Sequence, residues 1–113
     1  MIRRKLFEDL QAHLTKKEYS IITGARQTGK STLLRQLEDH CKQMNLPVVF
    51  LNLENRTILI ELNENPLNIL KFIPRLNAKT VVLMDEIQYL ADPSNFLKLL
   101  YDEHSEQIKI VAT

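Results

Sequence analysis

The apolar positions change period along the chain, and each change marks an element. Ile2, Leu6, Phe7, Leu10 and Leu14 fall on one stripe of a helix over residues 2–14. Lys16-Lys17-Glu18 is a polar connector, and the apolar run from Tyr19 to Thr23 predicts a first strand. Leu33, Leu34, Leu37 and Cys41 return to helical spacing, in a helix from Gly29 or Lys30 to about Met44. Asn45-Leu46-Pro47 ends it, because the residue before a proline is pushed away from helix. Residues 48–53 are almost continuously apolar, which suits a strand covered on both faces. Ile58-Leu59-Ile60 fits either a short helix or a strand. The helix is favoured because Glu54, Asn55, Glu61, Asn63 and Glu64 would interrupt a strand.

Asn65-Pro66 predicts an N-cap and a first helical residue. Leu67, Leu70, Phe72, Ile73 and Leu76 form the apolar face behind it, and Pro74 kinks or ends that helix. Thr80 to Met84 is a third apolar strand, with Asp85-Glu86 at its C-terminal end. Asp92-Pro93 opens a last helix in the same way, with Phe96, Leu97, Leu100 and Tyr101 facing inward, and Ile108 to Ala112 is a fourth strand. Strands alternating with helical crossovers of a dozen or more residues predict an α/β fold around a parallel sheet. In such folds ligands bind beyond the C-terminal ends of the strands.

Glycine usage draws attention to one stretch. The chain has 113 residues and two glycines, Gly24 and Gly29, where average composition would supply roughly eight. Both lie in IITGARQTGKSTLL, between the first strand and the second helix, in the pattern G-x-x-x-x-G-K-S. This is the phosphate-binding P-loop, in the strand–loop–helix setting it requires. Backbone amides at a helix N-terminus, aided by the helix dipole, bind a dense anion. They converge on it only where the loop accepts positive φ and close approach, hence the glycines. Lys30 would reach the β- and γ-phosphates, and Ser31 would give its hydroxyl to Mg²⁺. Thr32 fits an α-phosphate contact or a plain helix residue equally well. Arg26 and Gln27 lie inside the loop. Arg26 would touch phosphate or a neighbouring subunit, or simply face solvent, since only the backbone is demanded there. A chance match to the pattern is on the order of a few in a thousand for a chain of this composition.

Four apolar residues followed by Asp85-Glu86 match the Walker B pattern. A carboxylate there would hold Mg²⁺ opposite Ser31, which assigns Asp85. Glu86, one residue further, would orient or deprotonate the attacking water. The bland reading of the pair is two solvated carboxylates ending a strand.

The remaining composition narrows the class. Lys plus Arg is 15 and Asp plus Glu is 14, a net charge of +1, so charge does not indicate a nucleic-acid surface. The single Cys41 cannot form an internal disulfide and reads as a small core residue of a reduced, cytoplasmic protein. Ile2-Arg3-Arg4-Lys5 is basic but no signal-peptide core follows it, and no apolar run is long enough to span a bilayer. The three basic residues read as a solvated helix face, or as a contact to nucleotide or partner. His13, His40 and His104 have no metal-type spacing.

IITGARQTGKSTLL followed by VVLMDEIQYL resembles the ATPase domain of prokaryotic AAA-type proteins, P-loop ATPases of the additional-strand, catalytic-glutamate group. The resemblance covers essentially the whole chain, which reads as a single domain. It implies a three-layer P-loop NTPase fold with a mostly parallel sheet. It implies that Gly24, Ala25, Arg26, Gln27, Thr28, Gly29, Lys30, Ser31 and Thr32 bind the phosphates of ATP. Asp85 would bind Mg²⁺, and Glu86 would be the catalytic base. Gln88 stands where these proteins usually carry a glutamine, with no role that the sequence derives. The family's polar sensor residue, fifth strand and arginine finger are expected to lie beyond Thr113. The chain is therefore expected to be an N-terminal fragment with impaired activity, whose protein partner or self-association runs through the missing region.

Two functions follow: Mg²⁺-dependent ATP hydrolysis, or a nucleotide-dependent switch or scaffold with little turnover. A P-loop kinase is a weaker third, since Asp85-Glu86 suits water activation and no arginine-rich lid is visible. The guanine-reading N-K-x-D motif does not occur, which favours adenine.

Overall fold

The computed structural model describes residues 2–22, 29–73 and 79–113, the first three of these by backbone alone. Helix α1 spans Ile2–His13, β1 Ser20–Ile21, α2 Lys30–Gln43 and β2 Val48–Asn52. Helix α3 spans Arg56–Glu64, β3 Thr80–Asp85, α4 Pro93–His104 and β4 Ile108–Ala112. Two 3-10 segments, Pro66–Phe72 and Ile87–Tyr89, complete the described elements.

The strands form one parallel sheet in the order β1-β4-β3-β2. The chain leaves β1 for the far edge at β2, then returns through β3 to β4, beside its start. Alternating side chains divide the sheet between two cores. Val81, Leu83 and Val111 pack against Leu10 of α1, Leu14 just after it, and Leu33, Leu34, Leu37 and Cys41 of α2. Val82, Met84, Ile108, Ile110 and Ala112 pack against Leu62 of α3, Ile69, and Phe96 and Leu100 of α4. Two helices on one face and two on the other make three layers, the α/β architecture expected. Cys41 is fully buried, a core residue.

The expected elements are present, with local differences. The first strand is described over Ser20–Ile21, and the Ile22 amide continues the pairing to the Ala112 carbonyl at 2.7 Å. Residues 54–65 hold the helix that was favoured over a strand. Asn55 caps it by accepting from the amides of Thr57 and Ile58. The segment after Asn65 is a correction: it is a 3-10 helix, not an α-helix. Asn65 and Pro66 keep their cap and first-position roles, but the Asn68 side chain donates back to the Glu61 carbonyl at 2.8 Å and holds the turn tight. Ile69 and Ile73 are buried, while Leu67, Leu70 and Phe72 pack only partly buried against the core. Ile73 is extended, as the residue before a proline tends to be. Pro74, Leu76 and Thr23 lie outside the described residues.

Candidate functional site

The C-terminal ends of β1, β3 and β4 lie side by side, and the site is built there. Of the expected phosphate loop, Gly29 is described, and it has φ 75° and ψ 30°. That left-handed conformation is one a side chain would disfavour, which accounts for the glycine. Gly29 caps α2, and its carbonyl accepts from the Leu33 amide at 3.0 Å. Lys30 is the first residue of α2, with Ser31 and Thr32 exposed in its first turn. No acidic residue stands in that turn to compete for the amides. Gly24, Ala25, Arg26, Gln27 and Thr28 lie outside the described residues.

Asp85 ends β3 and is 5% exposed. Each of its carboxylate oxygens takes one hydroxyl. Ser31 Oγ donates to Oδ2 at 2.6 Å, and Thr113 Oγ1 donates to Oδ1 at 2.6 Å. A buried carboxylate needs such partners. The Ser31 bond brings the two sequence motifs to one point.

Glu86 follows in the left-handed region, φ 65° and ψ 49°, a conformation uncommon for a residue with a β-carbon. Thr113 holds it there. Its Oγ1 accepts from the Glu86 amide at 3.3 Å, and its carbonyl accepts from the Ile87 amide at 2.9 Å. The turn closes with the Tyr89 amide donating to the Glu86 carbonyl at 3.2 Å. The Gln88 side-chain amide donates to Glu86 Oε1.

Thr113 was missed as a site residue. No role was expected of it, yet its hydroxyl and carbonyl bond Asp85, Glu86 and Ile87. The pairing of Met84 with Ala112 sets the residue after β4 beside Asp85. A hydroxyl at the C-terminal end of a parallel strand is the signal that could have found it.

Two other features stand apart from these residues. Lys109, fully buried in β4, reaches the end of α1. Its Nζ lies 2.9 Å from His13 Nδ1 and donates to the Glu18 carbonyl, while Ser20 Oγ is 2.7 Å from the same His13 nitrogen. Burial first, then repulsion from Lys79, pulls the Lys109 ammonium down to about 8, against a smaller upward effect of Glu18. Burial, then Lys109, lowers His13. An open cleft lies between α3 and the start of α4, lined by Leu62, Asn63, Pro66, Leu90 and Phe96 among others, and no predicted site residue borders it. Among the described residues no three His, Cys, Asp or Glu side chains gather as a metal site, and no helix is long and apolar enough to cross a membrane.

With this arrangement in view, the comparisons with known proteins add the family. The sequence model of a family described as an AAA domain matches residues 16–113. The chain belongs to that family, and the match supports an AAA-type P-loop ATPase domain whose general property is nucleotide binding. No curated protein matches the chain.

Proposed function

We propose that this chain binds ATP with Mg²⁺ and hydrolyses it to ADP and phosphate. The observation that carries the reading is the 2.6 Å bond from Ser31 to the buried Asp85. It joins the start of the phosphate-loop helix to the end of β3, where a metal–triphosphate would sit between them. Hard oxygen donors suit Mg²⁺, which takes one or two protein groups and leaves its other positions to water and phosphate. Ser31 and Asp85 would hold the ion, directly or through water, and the ion would neutralise charge on the β- and γ-phosphates.

The chain's own groups do the rest. The phosphate loop from Gly24 to Thr32 would cradle the phosphates with its backbone amides, and the dipole of α2 adds partial positive charge. Lys30 places its ammonium on the transferring group. Glu86, half-buried one residue beyond Asp85, accepts the proton of the attacking water or orients it.

Calorimetry with ATP and ADP in Mg²⁺, on wild type and Lys30→Ala, tests the binding half. Binding should weaken at least about tenfold in the variant, the loss of one charge-assisted contact. Equal binding by both would remove Lys30 from the site. For the hydrolytic half, Glu86→Gln should keep nucleotide binding and lower turnover by about 10² or more. Wild-type turnover in that variant would remove Glu86 as the group acting on water, and negligible turnover by the wild type itself would leave a nucleotide-dependent switch as the better reading.

A further inference from the structure

Glu86 is fixed at its backbone from three sides. Its own amide and that of Ile87 are both tied to Thr113, and its carbonyl holds the Tyr89 amide. Its left-handed φ of 65° persists under those restraints. The turn therefore dictates where the side chain starts. It does not dictate where the carboxylate ends, because three side-chain torsions remain, and a half-exposed glutamate would otherwise sample several rotamers. One described contact closes that freedom: the amide of Gln88, two residues on in the same 3-10 turn, donates to Oε1.

We infer that Gln88 is a positioning residue for the hydrolytic step, holding the Glu86 carboxylate by one oxygen so that the other is presented to the water. The role rests on the reading that Glu86 acts on that water. The chemistry of the donor suits it. A glutamine amide is neutral, so it orients the carboxylate without placing a cation beside it, and Oε2 keeps its lone pairs for a water proton. A lysine or arginine would also orient the group, but it would stabilise the charged form and weaken the base. The 3-10 turn of Ile87–Tyr89 brings the amide over the Glu86 side chain, with Gln88 itself exposed. A side chain so exposed contributes little packing, so its removal should act on the reaction and leave the fold intact.

The test is steady-state ATP turnover by the whole chain with Mg²⁺, together with ADP affinity, for wild type, Gln88→Ala, Gln88→Glu, Gln88→Lys and Glu86→Gln. Gln88→Ala should lower kcat about tenfold, the cost of a mispositioned catalytic group, while KM and ADP affinity stay within about twofold. Gln88→Glu keeps the shape but loses the donor, and should fall at least as far. Gln88→Lys restores a donor of similar reach and should recover part of the loss. Turnover in Gln88→Ala equal to wild type, or raised above it, would overturn the positioning role, as would full activity in Gln88→Glu. The broader reading has its own arm. If Glu86→Gln turns over ATP at the wild-type rate, Glu86 is not the group acting on water and the role of Gln88 falls with it. If Glu86→Gln is inactive and Gln88→Ala is unaffected, only the inference about Gln88 fails.

Discussion

Thr113 ties together three parts of the candidate site. Its hydroxyl donates to Asp85 and accepts from the Glu86 amide, and its carbonyl holds the Ile87 amide. Thr113→Val keeps the shape and the backbone but removes both hydroxyl bonds. A buried carboxylate oxygen and an amide then lose a partner, and leaving such groups unsatisfied costs about 1–3 kcal/mol. Urea unfolding should show that loss as a lower midpoint with an unchanged slope, and ATP turnover should fall with it. A midpoint equal to that of wild type would mean that water replaces the hydroxyl. Serine, which keeps the hydroxyl, should be much closer to wild type.

At the scale of elements, the capping residues decide where helices begin. Asp92 accepts from the Asn95 amide at 3.1 Å ahead of Pro93, and Asn65 accepts from the Leu67 amide at 3.0 Å ahead of Pro66. Both were readable, because a capping residue directly before proline is a strong local signal. Asn55 was read only as a breaker of strands, yet it accepts from two amides, Thr57 at 3.0 Å and Ile58 at 3.3 Å. Asn55→Ala should therefore destabilise the protein by about 1 kcal/mol, and Asn55→Asp should retain most of that stability. Thermal unfolding of the two variants beside wild type checks it, and equal melting points for Ala and Asp would remove the cap's contribution. The 3-10 segment after Asn65 was legible as helical but not in its type. The tightening comes from Asn68 reaching back to Glu61, a bond between two elements that no local propensity encodes.

At the scale of the whole molecule, Lys109 ties the entry of β1 and the end of α1 to the middle of the sheet. The charged form is disfavoured by burial, with Lys79 adding to this and Glu18 opposing it. Its pKa falls from 10.5 to about 8 on folding. Between those values the unfolded chain binds more protons than the folded one, so stability rises with pH. From pH 8 to about 9.5 the gain is at most about 2 kcal/mol. Below that window Lys109 is charged in both states and adds no slope. His13, lowered on folding, gives a rise of the same sign as pH increases through its unfolded value of 6.5. Burial, and then Tyr101, raises Tyr19 well above its ordinary 10.0, so stability should decline again once unfolded tyrosine ionises. Burial, and then Glu38, raises the Cys41 thiol above its ordinary 9.0, which pulls stability down in the same window. Unfolding midpoints between pH 8 and about 9.5 should therefore climb in wild type relative to Lys109→Met. A wild-type profile parallel to that of the variant would show that the ammonium is not desolvated as its burial implies.

The sequence by itself determined the order and kind of nearly every element, and both chemical motifs, because these follow from local rules. Period 2 or 3.6 sets strand or helix, caps and prolines set the ends, and only glycine takes the φ of 75° at Gly29 without a steric cost. Tertiary structure alone decided which side chains meet. Ser31, Asp85 and Thr113 come from α2, the end of β3 and the residue after β4; the parallel register of Met84 with Ala112 sets Thr113 beside Asp85, and α2 brings Ser31 to it. A slip of one residue would turn each side chain of the strand to the other face of the sheet. Lys109 follows the same logic: a charged residue in a strand reads as solvent-facing, yet in a central strand with helices on both sides there is no solvent-facing side to take. Its burial and its bond to His13 follow from the sheet order, with β4 enclosed between β1 and β3.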